Sequence, residues 1–336
     1  MEVTERHVFA LDDSSRSGEV RRTATALATR LGASQQEVGR VALVATEAVS
    51  NAVKHATSGQ LLLYGTQQDG AWSVGMVALD RGPGMRDLGG CFEDGMSTAG
   101  SPGTGLGAMR RLATTFDIHT SPAGTVVFAE VASVTRQRHT SQAFTIGAVR
   151  VPYPGEEVCG DDLAVMPLGE GRCMVLVVDG LGHGLEAATA AEEATRLFRA
   201  HPGSGPEAVM ALLHDGLRGT RGAAAAVAEL DLRTRTVRFV GVGNIAGFVR
   251  GAASSQGMVS HHGTLGHQAL RMREFRYPWP EDALVVLHSD GLSARWDLAS
   301  YPGLAGRHPM VIAAVLYRDH ARRTDDASIV VLREAA

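Results

Sequence analysis

Two sets of acid-and-glycine motifs, one in each half of the chain, limit how it can fold. In the second half, apolar runs end on carboxylates. Residues 174–178 lead into Asp179-Gly180, and residues 284–287 lead through His288 and Ser289 into Asp290-Gly291. Gly160-Asp161-Asp162 and Thr324-Asp325-Asp326 add two further acidic positions. Short apolar runs bounded by such residues read as buried strands. Strands that bring carboxylates to one end gather negative charge, which is unstable without cations. In the first half the motifs are EAVSNAVKHA (Glu47 to Ala56), DRGPG (Asp80 to Gly84) and GTGLG (Gly103 to Gly107).

Length leaves room for both sets: 336 residues suffice for two domains of about 100–200 residues each. A hydrophobic share of 44% and a charged share of 20% fit a folded chain. The net charge of −4, without a run of like charge, argues against a nucleic-acid binder. Cys91, Cys159 and Cys173 are odd in number and form no CxxC pair, which disfavours a disulfide framework or a zinc site and suits a reducing compartment. The N-terminus has no basic-then-apolar signal pattern, and no stretch reaches the ~18–20 apolar residues of a membrane span. The expectation is a cytoplasmic protein.

Periodicity places the motifs on elements. Residues 5–11 read as a strand and 14–31 as an amphipathic helix, with Val20, Ala24, Leu27 and Leu31 at helical spacing. Ser34 and Glu37 form a capping box for a second helix that runs to about His55. Residues 60–64 and 72–80 read as strands paired around Asp69-Gly70. Residues 81–104 read as a long loop or lid, 104–115 as helix and 125–134 as a closing strand. The polar stretch after that strand is the expected linker, at 136–142 between domains 1–135 and 143–336. Beyond it come strands at 144–151, 163–167, 173–179, 224–230, 236–241, 246–250, 283–289 and 327–332, with helices at 185–200, 206–217 and 310–322. The fold class is α+β, as layered sandwiches.

In the first set, Glu47 and Asn51 are one helical turn apart and share a face that His55 extends, while Val41, Val44, Ala45, Ala48 and Ala52 form the packed side. The Asn51 side-chain oxygen suits a hydrated magnesium ion, and Glu47 suits orienting or deprotonating an attacking hydroxyl. A carboxylate at a strand end, as Asp80, accepts from an exocyclic amine, and Gly82 and Gly84 leave space for a planar base. GTGLG opens a helix whose backbone N–H groups can cradle phosphates.

In this order the three motifs resemble the GHKL (Bergerat) ATP-binding fold, an α/β sandwich shared by histidine kinases and anti-sigma-factor serine kinases. The resemblance covers about residues 5–134. The segment from Asp80 to Ile118 is most similar to the RsbT-like switch serine kinases of the bacterial stressosome, with Ser97 and Thr98 in the lid and Arg110-Arg111 on the helix behind it. The resemblance implies Glu47 as catalytic base and Asn51 as magnesium ligand. It implies Asp80 as adenine reader, with Gly82, Gly84, Gly103, Gly105 and Gly107 as nucleotide-loop glycines. ATP and Mg2+ are the implied ligands. A non-catalytic anti-sigma or sensor module that binds ATP and regulates the other domain stays open beside the kinase reading.

For the second set, the residues leave Asp161 or Asp162, and Asp325 or Asp326, as partners of Asp179 and Asp290. Two hard divalent ions bridged by carboxylates and water would neutralise the cluster and supply a nucleophile for attack on a phosphoester. Carboxylates favour manganese or magnesium over zinc. The order GDD, DGLGHG, GVGN (Gly241 to Asn244), SDG, DD resembles the SpoIIE-type branch of the PPM serine/threonine phosphatases, closest to RsbX-like members, over about residues 143–333. It implies a PPM-type α-β-β-α sandwich, two Mn2+ or Mg2+ ions, and ligands Asp161, Asp179, the Gly180 carbonyl, Asp290 and Asp325. Asp326 stands where many relatives have Asn. Arg150 is the candidate holder of substrate phosphate, and His183 is read as loop structure. The implied partners are STAS-type antagonist or stressosome proteins.

Other features read as structural. His261, His262 and His267 lack metal-site spacing. Cys91 reads as a plain thiol, Met85 and Met96 as packing, and Trp279 between Pro278 and Pro280 as a rigid surface turn.

Overall fold

The computed structural model describes residues 2–11, 16–55, 59–68, 70–85, 87–92, 105–133, 143–251, 254–268 and 272–335. The expected linker at 136–142, Met96, Ser97, Thr98 and Gly103 lie outside them. The chain divides into two compact units: residues 1–141 with 301–318, and residues 142–300 with 319–336.

The first unit holds a five-stranded antiparallel sheet. Its strands are β1 (Glu2–Leu11), β2 (Gly59–Gln68), β3 (Ala71–Leu79), β4 (Thr115–Ser121) and β5 (Gly124–Ala132), in the order β1-β2-β3-β5-β4. Helices α1 (Arg16–Arg30), α2 (Gln35–His55) and α3 (Gly105–Leu112) accompany it. The capping box forms in both directions. The Ser34 N–H donates to the Glu37 carboxylate at 2.8 Å, and the Glu37 N–H donates to Ser34 Oγ at 3.3 Å. Val20, Ala24 and Leu27 of α1 and Val41, Val44 and Ala48 of α2 bury themselves against Leu61, Leu63, Val74, Met76, Val127 and Ala129. That alternation along each strand is the two-residue period of a sheet with one face on helices. The alternate residues Leu62, Val77, Leu79, Val126 and Phe128 are buried as well, so the second face is also covered.

The second unit is built on two sheets. One contains β7 (Asp161–Gly169), β8 (Arg172–Gly180), β9 (Ala223–Asp231), β10 (Thr236–Val242) and β13 (Ser260–His261), with β14 (Phe275–Pro278) paired to β10. The other contains β6 (Phe144–Val151), β11 (Ala246–Arg250), β12 (Ser255–Met258), β15 (Leu284–His288) and β16 (Ala327–Glu334), in the order β12-β11-β15-β16-β6. Val175, Val177, Ala226 and Phe239 of the first meet Val285, Leu287, Val330 and Leu332 of the second in one core. Helices α4 (Leu185–Ala200) and α5 (Pro206–Gly216) pack on the other face of the β8 sheet through Ala190, Ala194, Phe198, Met210 and Leu213. The last helix among the described residues, α6 (Pro309–His320), lies with the first unit through Arg318.

One sequence expectation is overturned. Trp279 is not a surface turn but a core side chain, 1% exposed. Its ring stacks on Phe144 at 5.8 Å, and its indole N–H donates to the Ala283 carbonyl at 2.9 Å. Pro278 ends β14 and the turn comes after Trp279, where the Ala283 N–H donates to the Pro280 carbonyl at 3.2 Å, while burial of a large aromatic surface directs the side chain inward.

Candidate functional site

In the first unit, α2 carries Glu47 and Asn51 to the start of α3. A Cβ placed on Gly105 would lie 2.9 Å from both Asn51 Oδ1 and Glu47 Oε2. The two polar side chains therefore close on the glycine backbone that opens the helix, and a side chain at that position would displace their tips. Asn51 Nδ2 lies 3.8 Å from Met109 Sδ on the same helix. Gly107 is buried within α3. The His55 side chain, like Gly103, lies outside what is described.

Asp80 follows the last residue of β3. Its Oδ1 accepts from the Gly82 N–H at 2.7 Å and the Thr125 N–H at 3.3 Å, and its own N–H donates to Thr125 O at 2.9 Å. Among the described residues no donor reaches Oδ2, the oxygen available to an external amine. Gly84 has φ +72, in the left-handed region that favours glycine. Thr120 and Thr125, which the sequence reading passed over, line this turn: Thr120 Oγ1 lies 3.0 Å from Thr125 Oγ1 and accepts from the Met85 N–H at 2.9 Å.

In the second unit, Asp161 and Asp179 are register partners on antiparallel β7 and β8. Burial raises the Asp179 carboxyl to about 9, helped by the charges of Asp161, Asp290 and Asp325 and opposed by the nearby Asn244 side chain. Burial likewise raises Asp161 to about 7, with the hydrogen bond from Ser289 opposing and Asp326 and Asp325 adding to the rise. Asp325 is raised by burial and by Asp290. The four strand-end acids therefore feel one another, although among the described residues no three His, Cys, Asp or Glu side chains are arranged to enclose an ion as they stand. Asp161 Oδ1, Asp290 Oδ1 and Asp326 Oδ2 are buried without a hydrogen-bond partner. Orphaned carboxylate oxygens in a buried acidic group fit hard divalent ions.

The Asp161-Asp162 pair divides its work. Asp161 is 1% exposed and accepts from Ser289 Oγ at 2.6 Å, whereas Asp162 is ion-paired to Arg150. That pairing engages the guanidinium proposed for substrate phosphate. Asp326 Oδ1 accepts from the Tyr153 N–H at 2.8 Å, and Asp325 Oδ1 accepts from the Asp326 N–H at 2.9 Å. The Gly180 N–H donates to Gly160 O at 3.0 Å, joining the GDD and DGLGHG segments. His183 stacks on Tyr153 at 4.7 Å, with Nδ1 3.0 Å from Glu156 Oε1, and is over half exposed. Ser289, Ser328 and Asn244 are supporting residues that the sequence reading did not assign. The signal for two of them was in view, since Ser289 opens SDG and Asn244 closes GVGN.

Comparison with known proteins bears on both units. Residues 11–130 match the family described as "Histidine kinase-like ATPase domain", and residues 169–334 match "Stage II sporulation protein E (SpoIIE)". Serine/threonine-protein kinase RsbT of Bacillus subtilis (strain 168) is 30% identical over 93 residues, which covers 28% of this chain and 70% of RsbT. The chain belongs to the RsbT-related kinase-like ATPase family, joined to a SpoIIE-type PPM phosphatase domain. A solved chain described as "The bacterial stressosome: a modular system that has been adapted to control secondary messenger signaling" is 31% identical at a TM-score of 0.53, covering 56% of this chain and 99% of that one. RsbX in complex with magnesium is 17% identical at a TM-score of 0.53, covering 59% and 98%. The SpoIIE phosphatase domain of Bacillus subtilis with a fragment of its regulatory domain is 17% identical at a TM-score of 0.50, covering 96% and 97%. These last two share the fold. The chain is thus an enzyme of the serine/threonine phosphatase class that also carries a kinase-like ATPase domain. Among the described residues no helix is long and apolar enough to cross a membrane.

Proposed function

We propose that this chain is a bifunctional partner-switching regulator, a protein serine/threonine kinase in residues 1–135 and a metal-dependent phosphoserine/phosphothreonine phosphatase in residues 143–336. The observation that carries the phosphatase half is the pair of buried, unpartnered oxygens on Asp161 and Asp290 beside Asp179. Asp161, Asp179, Asp290, Asp325 and the Gly180 carbonyl would hold two Mn2+ or Mg2+ ions. Bound there, the ions supply an activated water and neutralise phosphoryl charge. Ser289 orients the Asp161 carboxylate through its hydrogen bond, and Asn244 lies close enough to Asp179 to offset part of its rise.

In the kinase half, Glu47 accepts the proton of the attacking hydroxyl, Asn51 holds the Mg2+ of ATP, and Asp80 reads the adenine amine. Gly82, Gly84, Gly103, Gly105 and Gly107 shape the nucleotide loop. Transfer of this kind is mostly positioning and charge balance, which the closure of Glu47 and Asn51 on Gly105 suits. The substrates are STAS-type antagonist or stressosome proteins, a reading supported by the likeness to RsbT. The free thiols of Cys91, Cys159 and Cys173 support a cytoplasmic setting.

The test uses the full chain, Mg2+, labelled ATP and a purified STAS protein. Transfer of label that Glu47→Gln abolishes, and release of that label that Asp179→Asn abolishes with the fold retained, is the expected result. ATP binding without transfer would replace the kinase reading by that of a nucleotide-sensing module. Unchanged phosphatase activity in Asp179→Asn would refute the metal assignment.

A further inference from the structure

Arg318, near the end of α6, is 4% exposed. A buried guanidinium requires acceptors. Its Nη1 donates to the main-chain carbonyl of Asp80 at 3.3 Å. Arg81 answers from the next residue: its Nη2 donates to the carbonyl of Arg318 itself. That carbonyl is among the last four of a helix, which lack partners within the helix and favour a cation. Gly124 borders the same contact with φ +134. A Cβ there would overlap the Asp80 carbonyl oxygen and lie 2.8 Å from Arg318 Nη1. The Asp80-Arg81 peptide is thus gripped by α6, and a glycine leaves the opening through which the grip passes.

The opposite end of α6 is tethered separately. Asp117 on β4 accepts from the His308 N–H at 2.6 Å and from Arg307 Nη1 at 3.2 Å. His308 Nδ1 in turn accepts from the Met310 N–H at 3.1 Å in the first turn of the helix. Two tethers on one helix allow its docking to be loosened at either end independently.

We infer that Arg318 is a positioning residue for nucleotide recognition. By fixing the Asp80 peptide it fixes the direction in which the Asp80 carboxylate faces the exocyclic amine of adenine. The inference rests on the reading of Asp80 as adenine reader and adds a residue far from the nucleotide motifs in sequence. Residues 301–318 fall inside the SpoIIE match at 169–334, yet they fold in the first unit. The ATP site accordingly depends on a stretch outside the kinase-like match at 11–130.

The test compares binding of Mg-ATP and Mg-ITP to the full chain by calorimetry. ITP carries a carbonyl where ATP carries the amine, so it cannot donate to Asp80. Arg318→Met is expected to weaken ATP about five- to tenfold, the scale of one misaligned charge-assisted hydrogen bond, and to leave ITP nearly unchanged. Arg318→Lys, which keeps one donor, is expected to recover part of the preference. Asp117→Asn loosens the far end of the helix, about 15 Å from Arg318 along its axis, and should lower the melting temperature without altering the ATP-to-ITP ratio. A wild-type ratio in Arg318→Met, or in Arg318→Lys if the former does not fold, would overturn the positioning role; so would an equal loss of preference in Asp117→Asn. Asp80→Ala separates the two layers of the argument. If it keeps the wild-type ratio, the adenine reading itself fails. If it abolishes the ratio while Arg318→Met does not, only the role of Arg318 fails.

Discussion

Asp161 stands directly opposite Asp179 across the antiparallel β7–β8 pair. Burial and the neighbouring carboxylates raise Asp179 to about 9 and Asp161 to about 7, from an ordinary value of 3.8. With raised values the folded state binds more protons than the unfolded state between 3.8 and those limits. Unfolding free energy then falls as pH rises. In chelator, the melting temperature of the second unit should drop steadily from pH 5 toward about pH 9. With Mn2+ present the drop should vanish or reverse, because the ion binds the ionised carboxylates and displaces their protons. Thermal scans across that range, with and without metal, check both signs. A flat profile in chelator would show that these acids do not share a buried site.

Glu47 and Asn51 make separable predictions because they approach Gly105 from one helix face with different chemistry. Glu47→Gln keeps shape and should leave ATP affinity within about twofold while lowering phosphoryl transfer by about 10²–10⁴. Gly105→Ala places a methyl group 2.9 Å from both side chains. It should weaken Mg-ATP more than about tenfold, while the helix itself tolerates alanine well. Calorimetry for binding and label transfer for chemistry distinguish the two variants.

The sequence carried the local part of this architecture. The Ser34–Glu37 capping box, the shared face of Glu47 and Asn51, and the apolar runs ending at Asp179 and Asp290 depend on neighbours within a turn or a strand, and each is found where its spacing places it. What escaped depends on partners distant in sequence. Ser289 reaches Asp161 across 128 positions, and Arg318 reaches Asp80 across 238, separations that leave no periodic trace. β4 escaped for another reason: its alternation is short, with only Phe116 and Ile118 apolar, interleaved with Asp117 and His119, just after a helix. Trp279 was misread because flanking prolines describe the backbone, while burial is decided by Phe144 across the core.

Ser289 gives the next prediction. Its hydroxyl donates to Asp161 Oδ2 at 2.6 Å and accepts from the Ser328 N–H at 3.1 Å, linking the start of β7 to β16 and the end of β15. Ser289→Ala removes the group that orients Asp161 without removing a carboxylate. Mn2+ affinity should fall about 10- to 100-fold, with phosphatase activity restored at high Mn2+. Metal titration monitored by activity and by melting temperature would show this; an unchanged affinity would leave Ser289 as packing alone.

Gly291 sets how closely the end of β15 approaches the acidic loop before β16. A Cβ on Gly291 would overlap the main-chain carbonyl oxygen of Asp326, so no side chain fits unless the two segments separate. Separation moves Asp290 away from Asp325, and these two acids feel each other's charge. Gly291→Ala should therefore destabilise the fold by about 1–3 kcal/mol and also weaken Mn2+ binding. The contrast is Gly39→Ala on α2, where nothing lies within 4 Å of the added methyl group. That substitution should be neutral or stabilise by up to about 1 kcal/mol, because alanine restricts the unfolded chain and favours helix. Denaturant melts of both variants, with Mn2+ titration of the first, separate close approach at the metal carboxylates from the general cost of replacing a glycine. If Gly291→Ala lost stability but bound Mn2+ normally, the approach of the two segments would matter for packing and not for the ion site.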